Sequence, residues 1–146
     1  MGEDFRLVLF LCTGNYYRSR FAELLFNAQA RQSGLPWRAE SAGLAPNCAG
    51  LNPDAISPLA LFALRRLDVV VPKLPRAPRD VTRGQLGNAD RLIALSEREH
   101  RPLLASRFPG FAEGAEYWDI EDVGIAAPAE ALGRLARLVE QLIGSL

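Results

Sequence analysis

The spacing of apolar and polar positions changes character several times along the chain, and each change predicts an element. Phe5 to Leu11 is an unbroken apolar run rich in strand formers, short enough for a buried strand. Phe21, Leu24, Leu25 and Ala28 then recur at i, i+3, i+4 and i+7, the spacing of one helix face. Gly34 and Pro36 mark a turn, Trp37 to Ala42 reads as a second strand, and residues 44–53 form a loop. A helix is expected from Pro53 to Leu67, with Ile56, Leu59, Ala60, Ala63, Leu64 and Leu67 on one face. Asp68 to Val71 is strand-like, and Pro72, Pro75 and Pro78 turn residues 72–80 into an extended loop. Val81 to Leu86 suggests a short helix and Arg91 to Leu95 a buried strand. Ser96 then caps a helix from Glu97 to Phe108, with Glu99 at the capping-box position. Glu116 to Asp119 is a fourth short strand, Glu121 to Pro128 a loop, and Ala129 to Ile143 a last helix striped by Leu132, Leu135, Val139 and Leu142.

Strands alternating with helices argue for a parallel sheet covered on both faces. With right-handed crossovers the expectation is a flavodoxin-like three-layer α/β fold, a four-stranded parallel sheet of order 2-1-3-4, in one domain spanning residues 1–146. Ligands of such sheets sit beyond the carboxyl ends of the strands.

Composition narrows the chemistry. Formal net charge is zero, so no global field draws the chain to nucleic acid or to a membrane surface. Lys73 is the only lysine among 17 basic residues. Two cysteines, Cys12 and Cys48, are too few for a disulfide scaffold, and His100 has no companion histidine, so a metal centre is not expected. Glu3 and Asp4 precede an apolar run too short for a signal peptide, and a cytoplasmic location is expected, where a thiol stays reduced.

The segment with most chemistry lies between the first strand and the first helix. A loop from a strand's carboxyl end to a helix's amino end gathers backbone N–H groups, and the helix dipole adds positive potential, which together bind oxyanions. Cys12 at its base would have its thiolate favoured by that field. Arg18 brings a planar fork that matches two phosphate oxygens. Gly14 and Asn15 suit a curled loop, and Ser19 stands near the helix start. Cys12, Gly14, Asn15, Arg18 and Ser19, in register near the amino terminus, resemble the phosphate-binding loop of the low-molecular-weight protein tyrosine phosphatases, C-x-G-N-x-C-R-S. Ser41-Ala42-Gly43, Arg79 to Thr82, Ala89-Asp90 and a late aspartate follow in the family's order.

Thiolate attack on a phosphate ester needs an acid for the leaving oxygen. From the residues alone, Asp119, Glu121 and Asp122 are all candidates; the resemblance aligns Asp122 with the family's acid. It implies a phosphomonoesterase, with a phosphorylated protein or small aryl phosphate as substrate, Cys12 as nucleophile, Thr13, Gly14, Asn15, Tyr16, Tyr17, Arg18 and Ser19 as the phosphate loop, and no metal or cofactor, because Arg18 and the loop amides supply the positive field. Ser19 would assist the thiolate, and Asn15 would hold the loop's curl with Ser41. The chain departs from the family in several places. Tyr17 replaces the second loop cysteine, Arg20 the usual proline, Asn47 an aromatic after Ser-Ala-Gly, and Val123-Gly124 the Pro and aromatic region after the acid. Arsenate reduction on the same fold and a non-catalytic phosphate-binding module are the competing readings. Protein arginine phosphatases share the loop but resemble it with a Thr where Tyr16 stands. Tyr117 and Trp118 are expected to pack the acid loop, His100 to lie on a helix surface, and Arg76 and Arg79 to be solvated charges, one of which could steer an anion. Cys48 is expected in a polar loop near the mouth.

Overall fold

A computed structural model describes residues 4–146; Glu3, used above in reading the start of the chain, lies outside them. Four parallel strands run β1 (Arg6–Cys12), β2 (Trp37–Gly43), β3 (Arg91–Ala94) and β4 (Glu116–Tyr117), in spatial order β2-β1-β3-β4. Five helices connect or flank them: α1 (Arg18–Gln32), α2 (Pro58–Arg66), α3 (Arg83–Asn88), α4 (Glu97–Arg107) and α5 (Pro128–Ser145). This is the flavodoxin-like three-layer arrangement that the alternation predicts.

β1 is central because both its faces are buried. Side chains alternate across a strand, so Val8 and Phe10 enter one core with Phe21, Leu25 and Phe26 of α1, Leu64 of α2 and Leu135 and Val139 of α5. Leu9 and Leu11 enter the other, with Leu86 of α3 and Leu104 of α4. Register pairs Cys12 with Gly43 and Phe10 with both Ser41 and Ile93. The carboxyl end of β1 therefore sits between its neighbours' ends, with β2 on one side and the chain after β3 on the other. Trp118 packs on Phe10 at 5.7 Å between ring centroids, and Tyr117 donates its hydroxyl to Ala112 O at 2.6 Å.

Two expected elements differ. Asp68 to Val71 is not a strand. Asp68 takes a left-handed φ of 59°, Val69 N bonds back to Leu64 O at 3.0 Å, and only Val69 of the pair Val69-Val70 is buried. The apolar run is the seal at the end of α2, and the prolines after it have no N–H for a ladder. The helix expected from Pro53 starts at Pro58 instead. Ser57 caps it, its hydroxyl accepting from Leu59 N, while Ser57 N donates to Tyr16 O at 2.9 Å. That bond to the loop holds residues 53–57 out of the helix. Among the described residues no helix is long and apolar enough to cross a membrane.

Candidate active site

The loop from Thr13 to Tyr17 leaves β1 and ends at the first turn of α1, and its carbonyls are bonded outward. Leu44 N donates to Cys12 O and Ala45 N to Thr13 O, both at 2.9 Å, and Ser57 N takes Tyr16 O. A trans peptide sets each C=O opposite the following N–H. The amides of Thr13, Gly14 and Tyr17 therefore face the other way, into the loop. Asn15 makes the curl possible with φ 52°, a left-handed value that asparagine tolerates. The end of β2 supports the loop from below: a Cβ on Gly43 would meet Thr13 O at 2.8 Å and Cys48 Sγ.

Cys12 Sγ lies 2.9 Å from Ser19 Oγ. Asn15 is fully buried, and its Nδ2 donates to Ser19 Oγ at 2.8 Å and to Ser41 Oγ at 2.9 Å. Its Oδ1 accepts from Arg76 Nη1 at 2.9 Å and Arg79 N at 3.1 Å. Arg76 is not a solvated charge. It also reaches Glu23 Oε1 at 3.1 Å and Ser41 O and Oγ at 2.9 Å, and burial, opposed by Glu23, brings its pKa down to about 10. A proline-rich loop placed it here by tertiary contact, which no local pattern announced. Arg79 makes a partly buried contact of its own, Nε to Ser41 O at 3.2 Å.

Arg18 is the largest fully buried side chain. Burial alone would lower its pKa, but hydrogen bonding to Glu99 and the charges of Cys12, Asp122 and Glu99 raise it. Glu99 holds it end-on, Nη1 to Oε2 at 3.0 Å and Nη2 to Oε1 at 2.8 Å, and Nη1 also donates to Ile120 O at 3.0 Å. Nε is buried and has no partner among the described residues. A buried cation with an unfilled donor, next to a loop whose amides turn inward, is an arrangement able to bind an anion. Asp122 Oδ2 stands 3.5 Å from Nη2, while Oδ1 accepts from Val123 N at 2.8 Å. Asp119, by contrast, is exposed, and Glu121 pairs with Arg98 at 3.0 Å.

Glu99 and His100 are the residues that sequence reasoning misplaced. Glu99 N does donate to Ser96 Oγ, as a cap requires, yet the Glu99 carboxylate turns to Arg18 and Thr13 rather than back to the cap. His100 is fully buried, not on a helix surface; its Nε2 lies 3.1 Å from Thr13 Oγ1. Because Thr13 donates to Glu99, Nε2–H faces both Thr13 Oγ1 and Glu99 Oε1, the latter 3.5 Å away, and burial above all holds the imidazole below its ordinary pKa of 6.5. The only signal in the sequence was the pairing of a capping glutamate with the sole histidine.

Cys48 is buried, with Sγ 3.1 Å from Ala45 O and 3.6 Å from Thr13 O. Burial first, then Asp80, push its thiol up to about 12. Asn47 is exposed and in the left-handed region; from that segment it is Leu51 whose Cδ1 approaches Gly14, 3.9 Å from where a Cβ would stand. Tyr16 is half-buried with its hydroxyl 3.3 Å from Asp54 Oδ2, and Tyr17 is buried in the core. Among the described residues no group of three or more His, Cys, Asp or Glu side chains could hold a metal.

Comparison with known proteins fits this geometry. The chain is 31% identical over 101 residues to a protein-arginine-phosphatase of Bacillus subtilis, covering 69% of this chain and 62% of that protein. The alignment thus spans less than two thirds of that relative's length. The fold superposes on a low molecular weight protein tyrosine phosphatase from T. tengcongensis with a TM-score of 0.80 and 27% identity, over 97% of this chain and 99% of that one. A low molecular weight protein tyrosine phosphatase from Bacillus subtilis gives 0.73 and 25%, over 93% of each chain. Residues 7–122 match the family described as low molecular weight phosphotyrosine protein phosphatase. The chain belongs to that family.

Proposed function

We propose that this protein is a phosphomonoesterase that works through a cysteinyl-phosphate intermediate. The observation that carries the reading is the buried Arg18 with its unfilled Nε, beside Cys12 and beneath Asp122. Cys12 Sγ attacks phosphorus, the ester P–O bond breaks, and Asp122 gives its proton to the departing oxygen. Asp122, now a carboxylate, takes a proton from water, whose oxygen displaces sulfur and releases inorganic phosphate. Ser19 donates to Sγ and stabilises it as it leaves. Arg18 and the loop amides hold the equatorial oxygens through both steps, so the positive field comes from the chain itself.

The proposed substrate is an aryl phosphate such as phosphotyrosine on a protein. Tyr16 supports this by presenting an aromatic ring on the loop, where stacking on a phenyl leaving group is favourable. Phosphoarginine is the second reading, because the relative that is 31% identical is a protein-arginine-phosphatase. Arsenate reduction needs a further thiol to pass electrons, and Cys48 is buried with its pKa pushed up to about 12. A cytoplasmic location is proposed on the same ground as before, a nucleophilic thiol that must stay reduced.

The test is hydrolysis of a series of aryl phosphates, and of phosphotyrosine and phosphoarginine peptides, by the wild type and three variants. Cys12→Ser is expected to lose turnover yet bind phosphate. Asp122→Asn should slow esters with poor leaving groups by about 10²-fold and good ones much less. Asp119→Asn should do little. Equal damage from Asp119→Asn with none from Asp122→Asn overturns the acid assignment, and turnover by Cys12→Ser overturns the mechanism.

A further inference from the structure

A guanidinium carries five N–H donors in one plane, and their distribution decides which edge of Arg18 is open to a ligand. Glu99 takes one hydrogen from each Nη, and Ile120 O takes the second hydrogen of Nη1. The two donors left over are Nε–H and the outer hydrogen of Nη2, which point the same way along one edge. Nε has no partner among the described residues although it is buried. Glu99 itself is fastened: Thr13 donates to its Oε1, and its backbone N–H is tied to the Ser96 cap at the start of α4. The carboxylate is therefore a fixed wall, anchored to both the helix and the loop, against which the fork rests.

We propose that Glu99 is the positioning residue for phosphate binding: its end-on pair with Arg18 selects the Nε–Nη2 edge as the one turned to the substrate's oxygens. This rests on the reading of the loop as a phosphate site. Without Glu99 the fork has one carboxylate left near it, Asp122, already 3.5 Å from Nη2. Arg18 then swings to pair with Asp122, and the edge meant for phosphate closes on the residue assigned as acid. Glu99 acts through Arg18 and touches no substrate atom.

The experiment measures inorganic phosphate affinity by calorimetric titration, together with kcat and KM on an aryl phosphate, for the wild type, Glu99→Gln, Arg18→Ala and the double variant. Glu99→Gln is expected to weaken phosphate binding about tenfold, raise KM and lower kcat/KM by about 10²-fold. In the Arg18→Ala background the same substitution should change phosphate affinity by less than about twofold, because the group it acts through is gone. A merely structural role would cost as much with alanine at position 18 as with arginine, and that result overturns the proposal. So does a folded Glu99→Gln enzyme with wild-type phosphate affinity. If Glu99→Gln does not fold, Glu99→Asp is measured instead; it keeps the charge at shorter reach, and unchanged affinity again refutes the proposal. A wild type that neither binds phosphate nor hydrolyses the ester sinks the phosphatase reading and this inference with it, whereas an active wild type with an indifferent Glu99→Gln sinks this inference alone.

Discussion

Asn15 Oδ1 accepts a hydrogen bond from Arg76 Nη1 at 2.9 Å, and that contact orients the hydrogen bonds that lead from Arg76 through Asn15 and Ser19 to Cys12 Sγ. A guanidinium only donates, so the amide oxygen must face it and Nδ2 must face Ser19. Ser19 Oγ then accepts from Asn15 at 2.8 Å, which leaves its own proton for Cys12 Sγ at 2.9 Å. With the sulfur as the thiolate that the proposed mechanism requires, the donor sense runs from residue 76 to Cys12 in one direction.

Asn15→Asp keeps the shape but puts an acceptor where Nδ2 was, so Ser19 turns its proton to residue 15 and away from sulfur. The proposed second chemical step should slow by about 10²-fold, and rapid-quench experiments should find phosphoenzyme accumulating. Arg76→Leu, which leaves Asn15, Ser41 and Glu23 underbonded, should cost about 2 kcal/mol of stability in urea denaturation as well as activity. Wild-type kinetics in Asn15→Asp would refute the directional relay.

Gly43 is a packing requirement. A Cβ there would meet Cys48 Sγ, Thr13 O at 2.8 Å and Asn15 N at 3.2 Å, and two of those atoms are backbone of the loop after β1. Gly43→Ala should destabilise by about 2 kcal/mol and lower kcat together with phosphate affinity, because the loop has to lift. Removing the Cys48 sulfur as well should restore only part of the loss, since the contact with Thr13 O remains. Full recovery in the double variant would refute the role given to the loop backbone.

The Glu99–His100 pair predicts loss of stability in acid. Burial, above all, holds the His100 imidazole below its ordinary 6.5, with Arg18 acting the same way against Glu99. Below about pH 6.5 the unfolded chain therefore binds more protons than the folded one, and stability falls with pH through that window. Glu99 is lowered from 4.5 by its hydrogen bond to His100, against burial and with Arg18 and Thr13 helping, so its contribution is lost at lower pH still. Urea midpoints should be flat above pH 7 and decline below it. His100→Gln should flatten the part between about pH 6.5 and 5. A midpoint that rises as pH falls from 7 to 5.5 would contradict the buried neutral imidazole.

Cys48 should be silent toward alkylating reagents. With its sulfur buried and its pKa pushed up to about 12, almost none is thiolate at neutral pH. Mass spectrometry after iodoacetamide should find no label on Cys48 in the folded protein and full label in denaturant. Any label at Cys12 should diminish with added phosphate. Rapid labelling of Cys48 in the native state would contradict its burial.

Much of this molecule was legible in its residue order because the signals are local. The apolar run of β1, the 3.6-residue stripe of α5 and the capping serine of α4 each act within a few residues, and parallel order follows from alternation with helices. The spacing of Cys12, Gly14, Asn15, Arg18 and Ser19 is local for the same reason. What required the folded chain is everything joined across long sequence separations. Arg76 reaches Asn15 across 61 residues, Glu99 reaches Arg18 across 81, and His100 reaches Thr13 across 87. A polar side chain read alone defaults to solvent, since burying it costs free energy unless partners await it. Only the sheet, by setting the ends of β1, β2 and β3 side by side, supplies those partners.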